Sequence, residues 1–202
     1  MEHLLPELKR VKNYRDVDNN NYYLISGGGY PSIYNHLKNA IKEVNSIQKY
    51  DYLILCLDAD ESTVNERIQQ INNFIEKEGL KLRSTGFKII VQNRCLETWF
   101  LGNRVVYPRQ PKRKTFREYS KFYNVSIDDP ELMKLYIGFK SISFFHYSYL
   151  KEMLLERHIK YTKNTPRAVT EPQYINQLIA RVEDTEHLQS LKDFFDFCNS
   201  IR

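Results

Sequence analysis

LILCLDADES, residues 53–62, turns from apolar to acidic within a few positions. The longer run YDYLILCLD, 50–58, predicts a strand buried on both faces, as strands of a parallel sheet are. Asp58, Asp60 and Glu61 follow, and carboxylates so close together repel one another unless a cation answers them. Side chains alternate along extended chain, so Asp58 and Asp60 project to one face if the strand persists that far. They would then stand at the carboxyl edge of the sheet, where open α/β folds place their ligands. Two hard oxygen ligands there suit Mg²⁺ or Mn²⁺. The competing reading is simple strand-end polarity, with Asp or Ser capping the next helix.

Outward from this stretch, strand and helix patterns alternate. A helix is expected over 62–78, ending at Gly79, and FKIIVQ, 87–92, reads as another strand. CLETWFLGN, 95–103, sets Glu97 among Leu96, Trp99, Phe100 and Leu101. Glu97 is either a third metal-facing or water-orienting carboxylate, or a first-turn Glu favoured by the helix dipole. Upstream, YYLIS, 22–26, predicts a strand, and GGG, 27–29, ends it. PSIYNHLKNAIKEVNSI then predicts a helix with Pro31 in its first turn and Ile33, Leu37, Ile41 and Val44 as its apolar stripe. Gly27, Gly28 and Gly29 admit two readings, a backbone contact to phosphate or a tight turn; no GK[ST] follows, so this is no P-loop. Residues 2–15 are expected to form a further helix carrying Leu4, Leu5, Leu8 and Val11 on one face. The alternation argues for an α/β fold with a parallel sheet.

After Asn103 the character changes. Arg104, Arg109, Lys112, Arg113, Lys114 and Arg117 interleave with Tyr107, Phe116, Tyr119, Phe122 and Tyr123. Such a mixture either tracks a phosphate backbone and stacks on bases, or is a solvated linker. Residues 131–160 and 172–200 read mostly as helix, with Pro166 and Pro172 bracketing a break. HIKYTKNTPR, 158–167, adds His158, Lys160, Lys163 and Arg167 as cations for a phosphate; His146 and His158 read singly as packing or surface residues. The expected division is an α/β core over 1–103 and a basic linker with a helical extension over 104–202.

A net charge of +5 in 202 residues permits nucleic acid as a partner without demanding it. Cys56, Cys95 and Cys198 lack metal-site spacing and predict buried free thiols in a reducing cytoplasm. There is no apolar run of membrane-spanning length and no signal-peptide core, so a cytoplasmic protein is expected. Neither GxSxG nor HExxH occurs, which argues against a protein nucleophile or a zincin site.

Together, GGGYPSIYNHL, YLILCLDADES and IIVQNRCLETWFLGN resemble the Toprim (topoisomerase–primase) family, and within it the small prokaryotic RloB-like proteins and the overcoming-lysogenization-defect nucleases. The resemblance covers about residues 22–103 and implies a Rossmann-like parallel sheet, flanked by helices, that holds Mg²⁺ at its carboxyl edge. It implies a Mg²⁺-dependent nuclease in phage defence. Asp58, Asp60 and Glu97 match the family's acidic positions. The family's opening Glu-bearing strand has no counterpart before the first expected helix; either Glu2 is its remnant or the sequence starts after it. That departure keeps a second expectation open: a catalytically degenerate subunit that binds nucleic acid or a partner ATPase in a defence complex.

Overall fold

A computed structural model describes residues 3–201, and its first element departs from the helix expected over 2–15. Lys9–Arg10 forms strand β1, which pairs in parallel with β2 (Asn21–Tyr22) in the register Lys9↔Asn21, Arg10↔Tyr22. Leu8 N–H closes a turn onto Leu5 O at 3.1 Å, and the donors that follow go to the ladder. Lys9 N–H donates to Asn20 O and Val11 N–H to Tyr22 O, each at 2.9 Å. Glu2 lies outside the described residues. The strand expected over 22–26 shrinks to β2, and Leu24 and Ile25 beyond it are exposed.

Helix α1 (Ile33–Ile47) follows the sequence pattern closely. Ile33, Leu37, Ile41 and Val44 are all buried, together with Ala40, and Pro31 stands just ahead of the first turn. Strand β3 (Tyr52–Asp58), helix α2 (Val64–Lys77) and strand β4 (Gly86–Gln92) come next, with Gly79 at φ +60 closing α2. β3 and β4 run parallel: Gly86 N–H donates to Asp51 O at 2.8 Å, and Ala59 N–H donates to Gln92 O at 2.9 Å. The chain is therefore α/β, with its described strands in two separate parallel pairs instead of one continuous sheet.

Leu53, Leu55 and Leu57 of β3 share a face, and that face packs with Phe87 and Ile89 against Ile33, Leu37, Ile41 and Ile71. The opposite face of β3 is not covered in the same way. Tyr52 and Cys56 are exposed, which corrects the expectation of burial on both faces and of a buried Cys56 thiol. The reason is alternation: α1 and α2 supply apolar side chains to one face only. Leu37→Ala, at the centre of this cluster, is expected to lower the unfolding free energy by about 2–5 kcal/mol in urea titration. A loss below about 1 kcal/mol would mean that the cluster is not a packed core.

The chain divides into two compact units. The first takes residues up to Leu57, Asn65–Val91 and the segment from Phe197; the second takes Asp58–Val64 and Gln92–Asp196. The acidic end of β3 and the LETWF segment thus fold with the chain beyond Asn103. The second unit holds α3 (Leu96–Phe100), α4 (Lys114–Phe122), α5 (Ile142–Leu155), α6 (Arg167–Thr170), α7 (Pro172–Asp184) and most of α8 (Gln189–Ser200). The helix expected across 131–160 is confined to α5, and Gly138 at φ +90 marks the irregular run before it. The break between Pro166 and Pro172 contains the short α6.

Phe116 and Tyr119 of the basic segment serve this unit's core, while Phe122 is exposed. Phe116 packs edge-on to Tyr149, and Tyr119 meets Tyr136, Phe139, Phe145 and Tyr149. Phe116 and Tyr119 are buried and are not available for base stacking. A second anchor is polar. Trp99 Nε1–H donates to Ser190 Oγ at 2.7 Å, and Ser190 donates through backbone and hydroxyl to the buried Glu131 carboxylate. Asn93 Nδ2 donates to the same carboxylate at 3.2 Å. This network ties α3 to α8, and so fixes the helix that carries Glu97. No helix of the described residues is long and apolar enough to cross a membrane.

Candidate active site

β3 ends at Asp58, and the acidic residues beyond it sit in a pinned turn. Asp60 adopts φ +54, a left-handed conformation that Asp tolerates better than most residues. Alternation along a strand is therefore not what sets the direction of Asp60. Backbone pairing continues regardless: Asp60 N–H donates to Arg94 O at 2.8 Å. The Arg94 guanidinium returns the favour, donating to Asp60 O at 3.3 Å and Ser62 O at 3.0 Å. Glu61 Oε1 accepts Ile142 N–H at 2.9 Å, placing a carboxylate on the first turn of α5. Ser143 Oγ lies 3.3 Å from both Asp60 Oδ1 and Arg94 O.

Asp58 and Glu97 come together from the two sides of α3's first turn. Asp58 Oδ1 accepts Leu96 N–H at 3.2 Å. Glu97, next along, is only 2 % exposed, and its Oε1 accepts the Tyr161 hydroxyl at 3.0 Å. Burial, followed by the Glu97 charge, pushes the Tyr161 phenol up, so it stays protonated and donates. Lys163 Nζ stands 3.7 Å from the same Glu97 oxygen. Glu97 is thus more than a first-turn dipole partner: two donors from the 161–163 segment are directed at it.

The electrostatics couple Asp58 to Asp60 and Glu97. Burial pushes the Asp58 carboxyl up to about 6, the charges of Asp60 and Glu97 push in the same direction, and Lys163 and the Leu96 N–H oppose them. Beside this cluster, Ser141, Ser143, Phe144, Tyr147, Thr162, Lys163 and Asn164 line an open cavity of about 520 Å³. Ser143 and Lys163 belong both to its wall and to the carboxylate contacts.

No protein-family model, curated protein or solved structure matches this chain. The residues themselves must then decide whether a divalent cation fits. Among the described residues, no three His, Cys, Asp or Glu side chains are grouped so as to hold a metal ion by themselves. Mg²⁺ does not require that: it commonly takes one or two carboxylates, keeps several waters and completes its shell with substrate phosphate. Asp58 and Asp60 match this pattern in ligand chemistry. Burial, and after it the Asp60 and Glu97 charges, disfavours ionised Asp58, and a bound cation would offset that penalty.

Of the other basic residues, Arg113 Nε pairs with Glu152 at 2.9 Å, while the backbone N–H groups of Lys112 and Arg113 bond the Glu156 carboxylate. Those contacts hold the start of α4 against α5. Arg167 pairs with Glu171 one helical turn on. Arg104, Lys114, Arg117 and Lys160 are exposed. Of these residues, Lys163 is the one brought to Glu97.

Gly28 and Gly29, in the first unit, have φ of +65 and +76, and Gly29 O accepts Ile33 N–H at 2.9 Å. This is the turn into α1. His146 is buried and held near 4 by that burial, hence neutral; its Nδ1 lies 2.8 Å from Thr98 Oγ1 and its Nε2 3.1 Å from Met133 O. Burial and Glu97 push the Cys95 thiol up to about 12, so it is no nucleophile. His158 is exposed.

Sequence reasoning passed over Arg94, Ser143 and Tyr161 as site residues. Their contacts span tens of residues, and nothing local marks them. Glu61 was visible inside LDADES, yet its partner at Ile142 was not.

Proposed function

We propose that this chain is a Mg²⁺-dependent, Toprim-like phosphodiesterase of nucleic acids, a nuclease. The observation that carries the reading is the buried Asp58 carboxyl at the end of β3, with Asp60 and Glu97 close enough to act on it, beside a cavity whose wall includes Ser143 and Lys163, the partners of Asp60 and Glu97.

In this reading Asp58 and Asp60 hold the cation. Once bound, it supplies Lewis-acid polarisation of a phosphoryl oxygen and charge stabilisation at the leaving oxygen. Glu97, kept rigid by Tyr161 and Lys163, orients the attacking water. The water oxygen forms the new P–O bond as the bond to one nucleoside oxygen breaks. The water proton passes to a carboxylate of the cluster, and the departing oxygen takes a proton from solvent. Lys163, largely exposed on its Glu97 anchor, adds positive charge for the phosphate. Glu61 and Arg94 are positioning residues that hold the 58–62 turn in shape.

Asp60→Asn tests this. Cleavage of single- and double-stranded DNA and RNA should require Mg²⁺ or Mn²⁺ and stop in EDTA. The variant should lose roughly a hundredfold or more of that rate, the scale of a lost electrostatic group in an active site. Its thermal midpoint should stay near that of the wild type. Equal cleavage by wild type, Asp60→Asn and Asp58→Asn would remove the reading.

Two observations favour a second reading, a subunit that binds nucleic acid or a partner ATPase without cutting. Lys163 already compensates Glu97, and no three-ligand metal group is present among the described residues. Calorimetry with Mg²⁺ and Mn²⁺ separates the two, since the second predicts no heat that Asp58→Asn with Asp60→Asn abolishes.

A further inference from the structure

The cavity beside the carboxylates has an aromatic wall that the hydrolytic roles leave unused. Phe144 is 55 % exposed although it is a large apolar side chain on α5. Tyr147 follows it three residues on, and the two rings lie nearly parallel, with centroids 6.3 Å apart and planes at 25°. Lys163 lines the same cavity, its Nζ 5.9 Å from the Tyr147 ring centroid, and Thr162 and Asn164 add hydroxyl and amide groups to the wall. Ser143, also in the wall, lies within hydrogen-bond distance of Asp60.

A solvent-facing aromatic surface beside a cation and amide groups has the chemistry that receives a nucleobase: rings stack on it, the ammonium meets phosphate, and the polar groups meet base edges. In a duplex both faces of a base are covered by its neighbours, so only an unpaired base offers a face to Phe144. We infer that this cavity is a nucleotide subsite for single-stranded nucleic acid, with an unpaired base stacked on Phe144 and the adjoining phosphate between Lys163 and the carboxylates. The inference rests on the nuclease reading for the placement of the scissile phosphate, but the stacking surface is tested without cleavage.

Fluorescence anisotropy provides that test. Labelled oligothymidylate, oligouridylate, an abasic oligomer of equal length and a duplex are titrated with the full chain, once in EDTA and once in Ca²⁺. The two single strands should bind more tightly than duplex or abasic strand. Phe144→Ala should weaken them roughly tenfold or more, and Phe144→Trp should restore binding, because stacking of a base on an aromatic ring acts on that scale. Phe144 is exposed, so circular dichroism should be unaltered in both variants.

Binding that follows Phe144 together with absent cleavage in Mg²⁺ would uphold the subsite and fail the nuclease. Cleavage in Mg²⁺ with duplex, abasic and single strands bound alike, and no effect of Phe144→Ala, would uphold the nuclease and overturn the subsite. Comparing oligouridylate with oligodeoxyuridylate, which differs from it only in the sugar, tells whether the strand is DNA or RNA.

Discussion

Asp58→Asn is expected to make the metal-free protein more stable by about 2–3 kcal/mol near pH 8, while abolishing metal-dependent cleavage. The sign follows from the raised carboxyl. Asp58 moves from an ordinary value of 3.8 to about 6 in the folded chain, because burial and then the Asp60 and Glu97 charges disfavour its ionised form. The folded state therefore binds this proton more tightly than the unfolded chain does. The group contributes stability where it is protonated, and that contribution is lost as pH rises through about 6. A neutral Asn removes the penalty at high pH and keeps an oxygen for Leu96 N–H. The gain should shrink steadily towards about pH 4, where Asp58 is protonated in the folded state. Urea unfolding of both proteins in EDTA from pH 4 to 8 reads the curve. A variant that is less stable at every pH would show that the carboxylates are not crowded, and would remove the basis for a cation there. Repeating the titration in Mg²⁺ should narrow the gap, since a ligand that binds only the folded wild type stabilises it.

Arg181→Leu is expected to have the largest effect on folding, a loss of about 3–5 kcal/mol in unfolding free energy. Arg181 on α7 is 2 % exposed, and its guanidinium acts as a hub for irregular backbone. Nη1 donates to Val125 O at 2.6 Å, and Nη2 donates to Asp128 O and His187 Nδ1, each at 2.8 Å. Burial, with Arg104 nearby, holds its pKa down at about 10, still well above neutrality, so the charge is retained. Leucine fills much of the volume but leaves buried carbonyls without donors, and each such group costs about 1–3 kcal/mol. Arg181→Lys should recover less than half of the loss, because a single ammonium does not span the fork. A denaturation midpoint of Arg181→Leu equal to that of the wild type would show that water satisfies these carbonyls and that Arg181 is not the hub.

How far each feature was readable depends on the range of the interactions behind it. α1, α2, β3 and β4 were legible because periodicity and glycine punctuation are local, and Ile33, Leu37, Ile41 and Val44 bury as their spacing requires. The segment opening the chain was misread as a helix with Pro6 near its first turn, because the β1–β2 pairing joins residues twelve positions apart and leaves no mark on local periodicity. Tyr107, Phe116 and Tyr119 interleave with cations in sequence, yet helix geometry turns Phe116 and Tyr119 inward to meet Tyr149 and Phe145. A one-dimensional mixture of aromatic and basic residues carries no information on which face each type occupies.

The sequence by itself determined the α/β class, the strand that runs into Asp58 and the chemical identity of the acidic residues, since these depend on neighbours a few positions apart. Tertiary structure alone decided that Glu97 meets Tyr161 and Lys163, that Glu61 caps α5, and that Phe144 faces a cavity. Those pairings close loops of tens of residues, and their energies come from burial and charge in an environment that exists only once the chain has folded.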